Sequence, residues 1–232
     1  MRTVKVEPPA EIGLLDGLSF ALFLPASPPP ATVVVLHGAG SCKESHFDFG
    51  RACRADGLAA LCFDIRGHGA SEGALDARAL DDVAAMAALA RDRTGVDAVA
   101  LRGSSMGGYL ALVAAAGAGA RAVVAICPAS AAGLARGLRD GRFEFRADAG
   151  GLGSVLTEHD ELGAAELLDV PLLLLHAEGD EVVPVENSRA LHVAAAGSRL
   201  VTLPGGHHRS VQHDPELQAL SIRFVREAVA RR

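Results

Sequence analysis

Short apolar runs recur along the chain and alternate with longer segments whose polarity is typical of amphipathic helices. Each run is continuous, as expected for a strand that is covered on both faces. The predicted strands are Thr32–Leu36, Ala59–Asp64, Asp97–Leu101, Ala122–Ile126, Leu172–His176 and Leu200–Leu203. The predicted helices lie near Glu44–Asp56, at Ala77–Arg93, after Ser105, near Glu186–Ala196 and at Glu216–Arg231. This order predicts a mostly parallel, doubly wound α/β sheet with helices on both faces.

An antiparallel hairpin is predicted ahead of this series, from segments around Val4–Glu7 and Ser19–Leu24. The chain has 232 residues, a length that single α/β domains often reach. We therefore expect one domain over residues 1–232.

The interval between Ile126 and Leu172 interrupts the alternation because it contains no strong strand pattern. It is rich in glycine and charge at first and then predicts a helix from about Ser154 to Leu168. Insertions at strand ends commonly form lids or functional loops, so we predict a small cap at about residues 129–169. An ordinary crossover helix with a long loop is the alternative.

The cap contains one alternating stretch of aromatic and charged residues. Phe143 and Phe145 are candidates to pack an acyl or aromatic group of a substrate, and Arg142 and Arg146 to meet a carboxylate. The alternative is a short cap strand whose arginine side chains lie in water. Both interpretations stay open from the sequence.

Composition narrows the class of protein. Hydrophobic residues make up 50% of the chain and charged residues 22%, an ordinary globular balance. The net charge of −6 argues against a nucleic-acid or anionic-membrane partner. No apolar run approaches transmembrane length and the first residues lack a signal-peptide pattern, so we expect a cytoplasmic protein. The four cysteines show neither a CxxC pair nor metal-ligand spacing, so we expect no metal and no structural disulfide.

The pattern Gly-x-Ser-x-Gly occurs at residues 103–107, directly after a predicted strand and before an Ala-rich helix. This strand–turn–helix setting is the one that a nucleophile elbow requires. The turn strains the backbone at Ser105, so only glycine fits two residues before and two after it. The helix start beside Ser105 offers free N–H groups and a dipole that favour developing negative charge.

A serine nucleophile needs a base that an acid orients, and on this type of sheet the chain order is Ser, then Asp or Glu, then His. The sequence supplies that order. Asp180 follows the strand Leu172–His176, which puts it at the carboxyl edge of the sheet. His207 and His208 follow the next strand in the same way. The alternatives for the acid are Glu178 and Glu181.

Four motifs, in register, resemble those of the α/β-hydrolase family over almost the whole chain. They are His37-Gly38-Ala39-Gly40 after a strand, the turn Asp-Ile-Arg-Gly-His-Gly-Ala-Ser at residues 64–71, the elbow at Ser105, and Gly179-Asp180 with Val183-Pro184 followed by a histidine after Pro-Gly-Gly. The small cap and the Gly-Gly-His-His-Arg-Ser ending are most similar to small bacterial serine esterases, near the feruloyl- or cinnamoyl-esterase and serine-aminopeptidase-like branches.

This resemblance implies a role for each candidate. Ser105 would be the nucleophile and Asp180 the orienting acid. The family places its base at the sixth position of Leu-Pro-Gly-x-x-His, which is His208 rather than His207. The backbone N–H groups of Ala39 and Met106 would form the oxyanion hole.

Other polar residues in these motifs have structural interpretations. We expect His37 and His68 to brace the oxyanion loop rather than to transfer protons. Arg66 is expected to tie its loop, and His176 to be a core histidine with its hydrogen bonds satisfied.

The function that the resemblance implies is hydrolysis of small carboxylic esters through an acyl-enzyme on Ser105, with no cofactor. A peptidase or amidase with the same triad is one alternative, since Gly-x-Ser-x-Gly does not distinguish esters from amides. A non-catalytic binding module on the hydrolase fold is another, although a binding role would not need Ser, Asp and His together.

Overall fold

The apolar runs form one eight-stranded sheet in the computed structural model, which describes residues 7–230. The strands are β1 (Glu11–Leu15), β2 (Leu18–Phe23), β3 (Thr32–Leu36), β4 (Ala59–Phe63), β5 (Val99–Ser104), β6 (Ala122–Ile126), β7 (Leu172–Ala177) and β8 (Arg199–Leu203). Strands β3 to β7 are buried at every position, which explains why their sequences are continuous rather than alternating.

The strand order is β1-β2-β4-β3-β5-β6-β7-β8, with β3 to β8 parallel and β1 and β2 antiparallel to their neighbours. Helices cover both faces, so the prediction of a mostly parallel, doubly wound sheet is confirmed. In the register, Leu36 lies opposite Gly103, and Ser104 lies opposite Ile126. The loops that follow β3, β5 and β6 therefore leave the sheet at the same level.

The opening hairpin is shifted from its predicted position. Residues 4–6 of its predicted first arm lie outside the described residues, and Glu7 is not in a strand. The partner of β2 is β1, which enters β2 through Asp16 and Gly17, both with positive φ (50° and 79°). An Asp-Gly pair with this geometry is the two-residue turn that matches the twist of a hairpin.

The helices are α1 (Phe47–Ala55), α2 (Ala79–Thr94), α3 (Met106–Val113), α4 (Ala131–Arg139), α5 (Ala149–Glu158), α6 (Glu161–Glu166), α7 (Val185–Ala194), α8 (Ser210–His213) and α9 (Pro215–Ala230). Their apolar faces pack on the sheet in two layers. On one face of the sheet the apolar core is shared with α2, α3 and the segment between β6 and β7, and on the other face it is shared with α1 and α9. None of the described helices has the length and apolar character needed to cross a membrane.

The segment between β6 and β7, called the insertion below (residues 127–171), differs from its prediction in two ways. Helix α4 was not predicted; it begins after Ser130, whose side chain accepts the Gly133 N–H at 3.1 Å. The single helix predicted from about Ser154 to Leu168 is in fact α5 and α6. The chain breaks between them because Asp160 caps the start of α6, accepting the Gly163 N–H at 2.8 Å.

Arg66, in the loop after β4, ties this loop to α2. Its Nε and Nη2 each donate to one carboxylate oxygen of Asp82 at 2.8 Å, and Nη2 also donates to the Asp16 carbonyl at 3.3 Å. The two side chains are only 6% and 10% exposed. A buried bidentate pair of this kind holds a loop in place, which agrees with the structural role expected for Arg66.

Replacing Arg66 with Met is expected to lower the free energy of unfolding by about 3 kcal/mol, because the Asp82 carboxylate would stay buried without its partner. Urea denaturation measures the change. The exposed pair between Arg78 and Asp76 provides the matched control, and Arg78→Met should leave the urea midpoint nearly unchanged. Equal midpoints for both variants would contradict the structural role of Arg66.

Candidate active site

Ser105 lies at a sharp turn between β5 and α3. Its φ is 54° and its ψ is −117°, a conformation that a residue with a side chain rarely adopts. Its backbone N–H donates to the Ile126 carbonyl at 2.9 Å, and its carbonyl accepts the N–H of Tyr109 and of Ala129 at 3.1 Å each. These bonds hold the strained residue from both sides, and its half-buried side chain faces a cavity at the carboxyl edge of the sheet.

The glycines on either side of Ser105 are required by contacts with backbone atoms. A Cβ on Gly103 would collide with the Gly107 carbonyl, and a Cβ on Gly107 would collide with the carbonyls of Leu36 and His37. Backbone atoms cannot swing away as the end of a flexible side chain can. The Gly-x-Ser-x-Gly pattern therefore lets α3 begin in contact with the ends of β3 and β5.

Asp180 and His208 form a direct pair beside Ser105. His208 Nδ1 lies 2.7 Å from Asp180 Oδ2, and the two side chains are 13% and 0% exposed. An ionised carboxylate can only accept hydrogen bonds, so Nδ1 carries a proton, and in the neutral ring Nε2 is then the acceptor. Ser105 and His208 line the same cavity. Among the described residues, Ser105 Oγ makes no hydrogen bond with His208, and such contacts often tighten only once substrate is bound.

The surroundings of Asp180 favour its ionised form. Burial alone would raise its pKa, but hydrogen bonds from Val183 N–H (2.8 Å), the His208 side chain and Val182 N–H (2.9 Å) outweigh that effect and leave the pKa below its usual value. Each of these groups interacts more strongly with a carboxylate than with a carboxylic acid. Asp180 is thus an anion to which the His208 ring can donate a hydrogen bond.

The alternatives left open by the sequence lie elsewhere. His207 is exposed, and its backbone N–H bonds to Ser210 Oγ at 3.0 Å. Glu178 is exposed and accepts from the Thr202 hydroxyl at 3.2 Å, and Glu181 accepts the His208 backbone N–H at 3.2 Å. Neither glutamate hydrogen-bonds to the His208 ring, whose Nδ1 pairs with Asp180.

His37 fixes the orientation of the loop that follows β3. Its Nε2 accepts the Ile65 N–H at 3.0 Å, so the proton lies on Nδ1, which donates to the Gly38 carbonyl at 2.8 Å. A carbonyl and the next N–H point in opposite directions across a trans peptide. Holding the Gly38 carbonyl toward His37 therefore turns the Ala39 N–H the other way, and Ala39 lines the cavity beside Ser105. Neither the Ala39 nor the Met106 N–H makes a backbone hydrogen bond within the described chain.

An aromatic stack connects this loop to the insertion. The His37 ring meets His68 edge-on with centroids 4.9 Å apart, and His68 stacks on Phe145 at 4.1 Å. Phe145 in turn stacks on Phe143 at 5.0 Å. His68 Nδ1 also lies 3.2 Å from the Arg66 carbonyl. The contacts of His37 and His68 agree with the bracing role expected for them.

Of the predicted substrate-contacting residues, Phe143 shares a cavity with the elbow residue Met106. Phe143 lines a narrow apolar cavity of about 10 Å³ together with Leu75, Met106, Tyr109, Leu110, Leu134, Leu152 and Leu156. Arg142 is exposed and pairs with Asp140 at 3.0 Å. Arg146 donates to the Ser71 carbonyl at 3.0 Å. The stretch forms no cap strand; Ala147 alone makes an isolated bridge, to Leu75.

A second cavity, of about 110 Å³, is lined by Ser105 and His208. Its lining comprises Gly38, Ala39, Gly40, Ser41, Ser104, Ser105, His208, Arg209 and Gln212. Sequence reasoning missed Ser104, Arg209 and Gln212 as possible substrate contacts. Their positions next to Ser105 and just after the histidine pair were the available signal.

Cys127, His176 and Asp180 are the described residues whose potential ligand atoms come closest to a metal-binding cluster, within 4.8 Å of one another. Both ring nitrogens of His176 are already used, by Ser188 Oγ at 2.7 Å and by the Val183 carbonyl at 3.0 Å. Burial raises the pKa of the Cys127 thiol, which opposes the thiolate that a metal needs. The cluster therefore lacks the free imidazole nitrogen and the thiolate that a metal centre needs, and the fully buried His176 is the satisfied core histidine that was expected.

Comparison with known proteins identifies the family. The alpha/beta hydrolase fold family matches residues 31–152, and a family described as TAP-like protein matches residues 154–228. The first match covers more than half of the chain. The chain belongs to the α/β-hydrolase family, and the resemblance found in the sequence is confirmed.

Individual relatives are more distant. A protein of Escherichia coli O157:H7 described as uncharacterized protein YfhR is 29% identical over 226 residues, which cover 89% of this chain and 76% of that protein. Est1E from Butyrivibrio proteoclasticus superposes with a TM-score of 0.78 at 20% identity, over 96% of this chain and 100% of that one. A monoacylglycerol lipase from Paleococcus ferrophilus gives 0.70 at 22% identity, over 92% and 98%. The structural matches establish the α/β-hydrolase fold, and the family supports hydrolase activity.

His37 predicts a specific dependence of stability on pH. Burial lowers its pKa to about 4 from an ordinary value of 6.5, so between these values the unfolded chain binds the proton more readily. Stabilisation by neutral His37 is complete above pH 6.5 and is lost as the pH falls toward 4, by up to roughly 3 kcal/mol. In His37→Asn, the free energy of unfolding should fall less steeply over this range than in the wild type. Urea denaturation at a series of pH values measures both slopes, and equal slopes would exclude this role.

Proposed function

We propose that the protein is a serine hydrolase that cleaves small carboxylic esters through an acyl-enzyme on Ser105. The observation that carries the proposal is the convergence of three groups at one cavity. Ser105 stands on a strained elbow, His208 lines the same cavity, and Asp180 holds His208 Nδ1 at 2.7 Å. These groups come from loops after three different strands, and a catalytic role explains why they converge at one cavity.

In the proposed reaction His208 Nε2 takes the proton of Ser105 Oγ as this oxygen attacks the ester carbonyl carbon. Asp180 holds the other ring nitrogen and stabilises the imidazolium that forms. The hydrogen bonds that lower the pKa of Asp180 keep it ionised for this task. Collapse of the tetrahedral intermediate breaks the bond to the alcohol oxygen, which receives its proton from His208.

Water then attacks the acyl group on Ser105, with His208 again as base, and the net reaction converts ester and water into acid and alcohol. The negative charge on the carbonyl oxygen would rest on the N–H groups of Ala39 and Met106. Their freedom from backbone acceptors supports this assignment. Losing one such donor in a serine hydrolase typically costs about 3 kcal/mol of transition-state stabilisation.

The structural neighbours support carboxylic esters as the substrate class. One is described as a monoacylglycerol lipase, and Est1E is also described with ferulic acid bound, in a structure with a TM-score of 0.73 and 24% identity. At this identity they are a guide to chemistry and not to a particular substrate. The apolar side chains next to Met106 enclose only about 10 Å³, so they offer no ready space for a long acyl chain.

Hydrolysis of short-chain aryl esters tests the proposal directly. Wild-type protein should release the phenol with burst kinetics or at a steady rate, and Ser105→Ala should lower kcat by about 10³-fold or more. A fluorophosphonate probe should label Ser105 and leave the variant unlabelled. A matched amide, assayed beside its ester, separates an esterase from an amidase. Equal activity of the two proteins, or no labelling of wild type, would exclude the serine mechanism and favour a binding module.

The adjacent histidines allow a matched comparison of the base. His208→Ala should lower kcat by about 10³-fold or more, because Ser105 loses its proton acceptor. His207→Ala should change kcat/KM by less than about threefold, since an exposed side chain outside the cavity contributes little to the transition state. The reverse ranking would transfer the role of base to His207.

A further inference from the structure

The cavity beside Ser105 has a polar wall that the proposed ester chemistry does not require. The glycine-rich loop from Gly38 to Ser41 contributes to its lining, and Arg209 and Gln212, which follow His208, form the polar wall. A water molecule takes up about 30 Å³ of liquid. The cavity of about 110 Å³ therefore has room for a compact group of a few heavy atoms.

Arg209 is the charged residue of this wall. It is exposed, and in the part of the chain that the structure describes its guanidinium makes no ion pair and no hydrogen bond. Arg142 and Arg146 are both engaged elsewhere, with Asp140 and the Ser71 carbonyl. The carboxylate of Glu181, on the loop facing His208, already accepts the His208 backbone N–H. Arg209 is thus free to meet a charge on a substrate.

Ser104, which lines the cavity, and its neighbour Arg102 on β5 both carry donors without partners among the described residues. Ser104 Oγ is buried and has no hydrogen-bond partner among the described residues. Arg102 lies two residues earlier on the same face of β5 and is 1% exposed. Its Nη2 donates to the Gln212 carbonyl at 3.0 Å, while its Nε and Nη1 have no partner among the same residues.

No carboxylate among the described residues hydrogen-bonds to the Arg102 guanidinium. The group stacks on the Phe49 ring at 3.9 Å. The Asp48 carboxylate, on the same side of the sheet, is bound by His213 at 2.9 Å and by Gln218 at 2.8 Å. The positive charge of Arg102, next to Ser104 on β5, therefore adds to that of Arg209 in making the electrostatic potential of the cavity positive.

We propose that this wall binds a carboxylate on the leaving group of the substrate, so that the protein cleaves acyl esters of small hydroxy acids. The inference rests on the proposed function and adds its substrate class. The guanidinium of Arg209 would hold the two carboxylate oxygens in its fork, with the Ser104 hydroxyl as a neutral donor. The Gln212 amide is already bonded to His213 Nε2 at 2.8 Å. The products are a carboxylic acid and a free hydroxy acid.

The position of Arg209 beside His208 favours the leaving group, rather than the acyl group, as the end of the substrate that carries the carboxylate. His208 delivers its proton to the leaving oxygen, and Arg209 is the next residue along the chain. Met106 and Phe143, which line the apolar cavity, pack with the layer on one face of the sheet. The α8 residue Val211 packs with the layer on the other face. The apolar residues beside Met106 and the segment that carries Arg209 therefore pack on different faces of the sheet, and we assign the acyl group to the first side and the anionic leaving group to the second.

Acetoxyacetate and acetoxyacetamide form a matched pair of probes, because they differ in charge and hardly in size. The measured quantity is the ratio of their kcat/KM values, compared between variants so that the intrinsic reactivity of each ester cancels. Arg209→Gln should lower this ratio by about tenfold, mainly through a higher KM for the anionic ester. The neutral ester should change by less than about twofold. Added salt should reduce the ratio in wild type, since Arg209 is exposed.

Arg223→Gln is the control, because Arg223 is an exposed arginine on α9 that does not line the cavity. It removes the same charge and should leave the ratio unchanged. An Arg209→Gln ratio equal to that of wild type, or an equal loss on both esters, overturns the carboxylate site while the proposed function stands. A ratio that falls in Arg223→Gln as much as in Arg209→Gln also overturns it.

A binding measurement separates the two proposals when neither ester is cleaved. Glycolate should slow fluorophosphonate labelling of Ser105 in wild type and not in Arg209→Gln. Labelling that glycolate does not slow in either protein overturns the carboxylate site. No labelling of Ser105 at all overturns the proposed function and this inference with it.

Discussion

The close approach of α3 to the ends of β3 and β5 is the constraint on which the site depends. Gly103 and Gly107 are in contact with backbone atoms and can carry no side chain, and Ser105 between them has a positive φ. Strain of this kind costs about 1–3 kcal/mol and persists only where the surroundings enforce it. Here the buried apolar helix α3 and the level ends of the neighbouring strands enforce it.

Once this point is fixed, the other groups reach it by simple means. The loop after β3 leaves the sheet beside Ser105, and His37 sets the direction of its peptide groups. Asp180 follows β7, and its ionised form is held by backbone N–H groups that are themselves part of a turn. A single hydrogen bond to Asp180 orients the His208 ring. The site is thus built mainly from backbone geometry, with few side chains that must be tuned.

This dependence on backbone explains how much the sequence predicts. Strands β3 to β8 and the positions of Ser105, Asp180 and His208 follow from apolar runs and from local turn patterns, so a single sequence suffices. Helix α4 was missed because Gly133 and Gly137 lower helix propensity, and tertiary packing overrides that signal. Contacts between distant side chains leave no local pattern. The free guanidinium of Arg209 and the engaged one of Arg146 could not be told apart from the sequence.

The aromatic stack limits how the sequence of the insertion can change during evolution. Phe143 and Phe145 belong to the insertion, His68 belongs to the loop after β4, and His37 belongs to the loop beside Ser105. The insertion is therefore not an interchangeable module. An exchanged insertion without an aromatic residue at position 145 would remove the ring against which His68 packs and would loosen a loop far away in sequence. Changes of substrate range by recombination would need compensating changes at His68, so we expect these two segments to be inherited together.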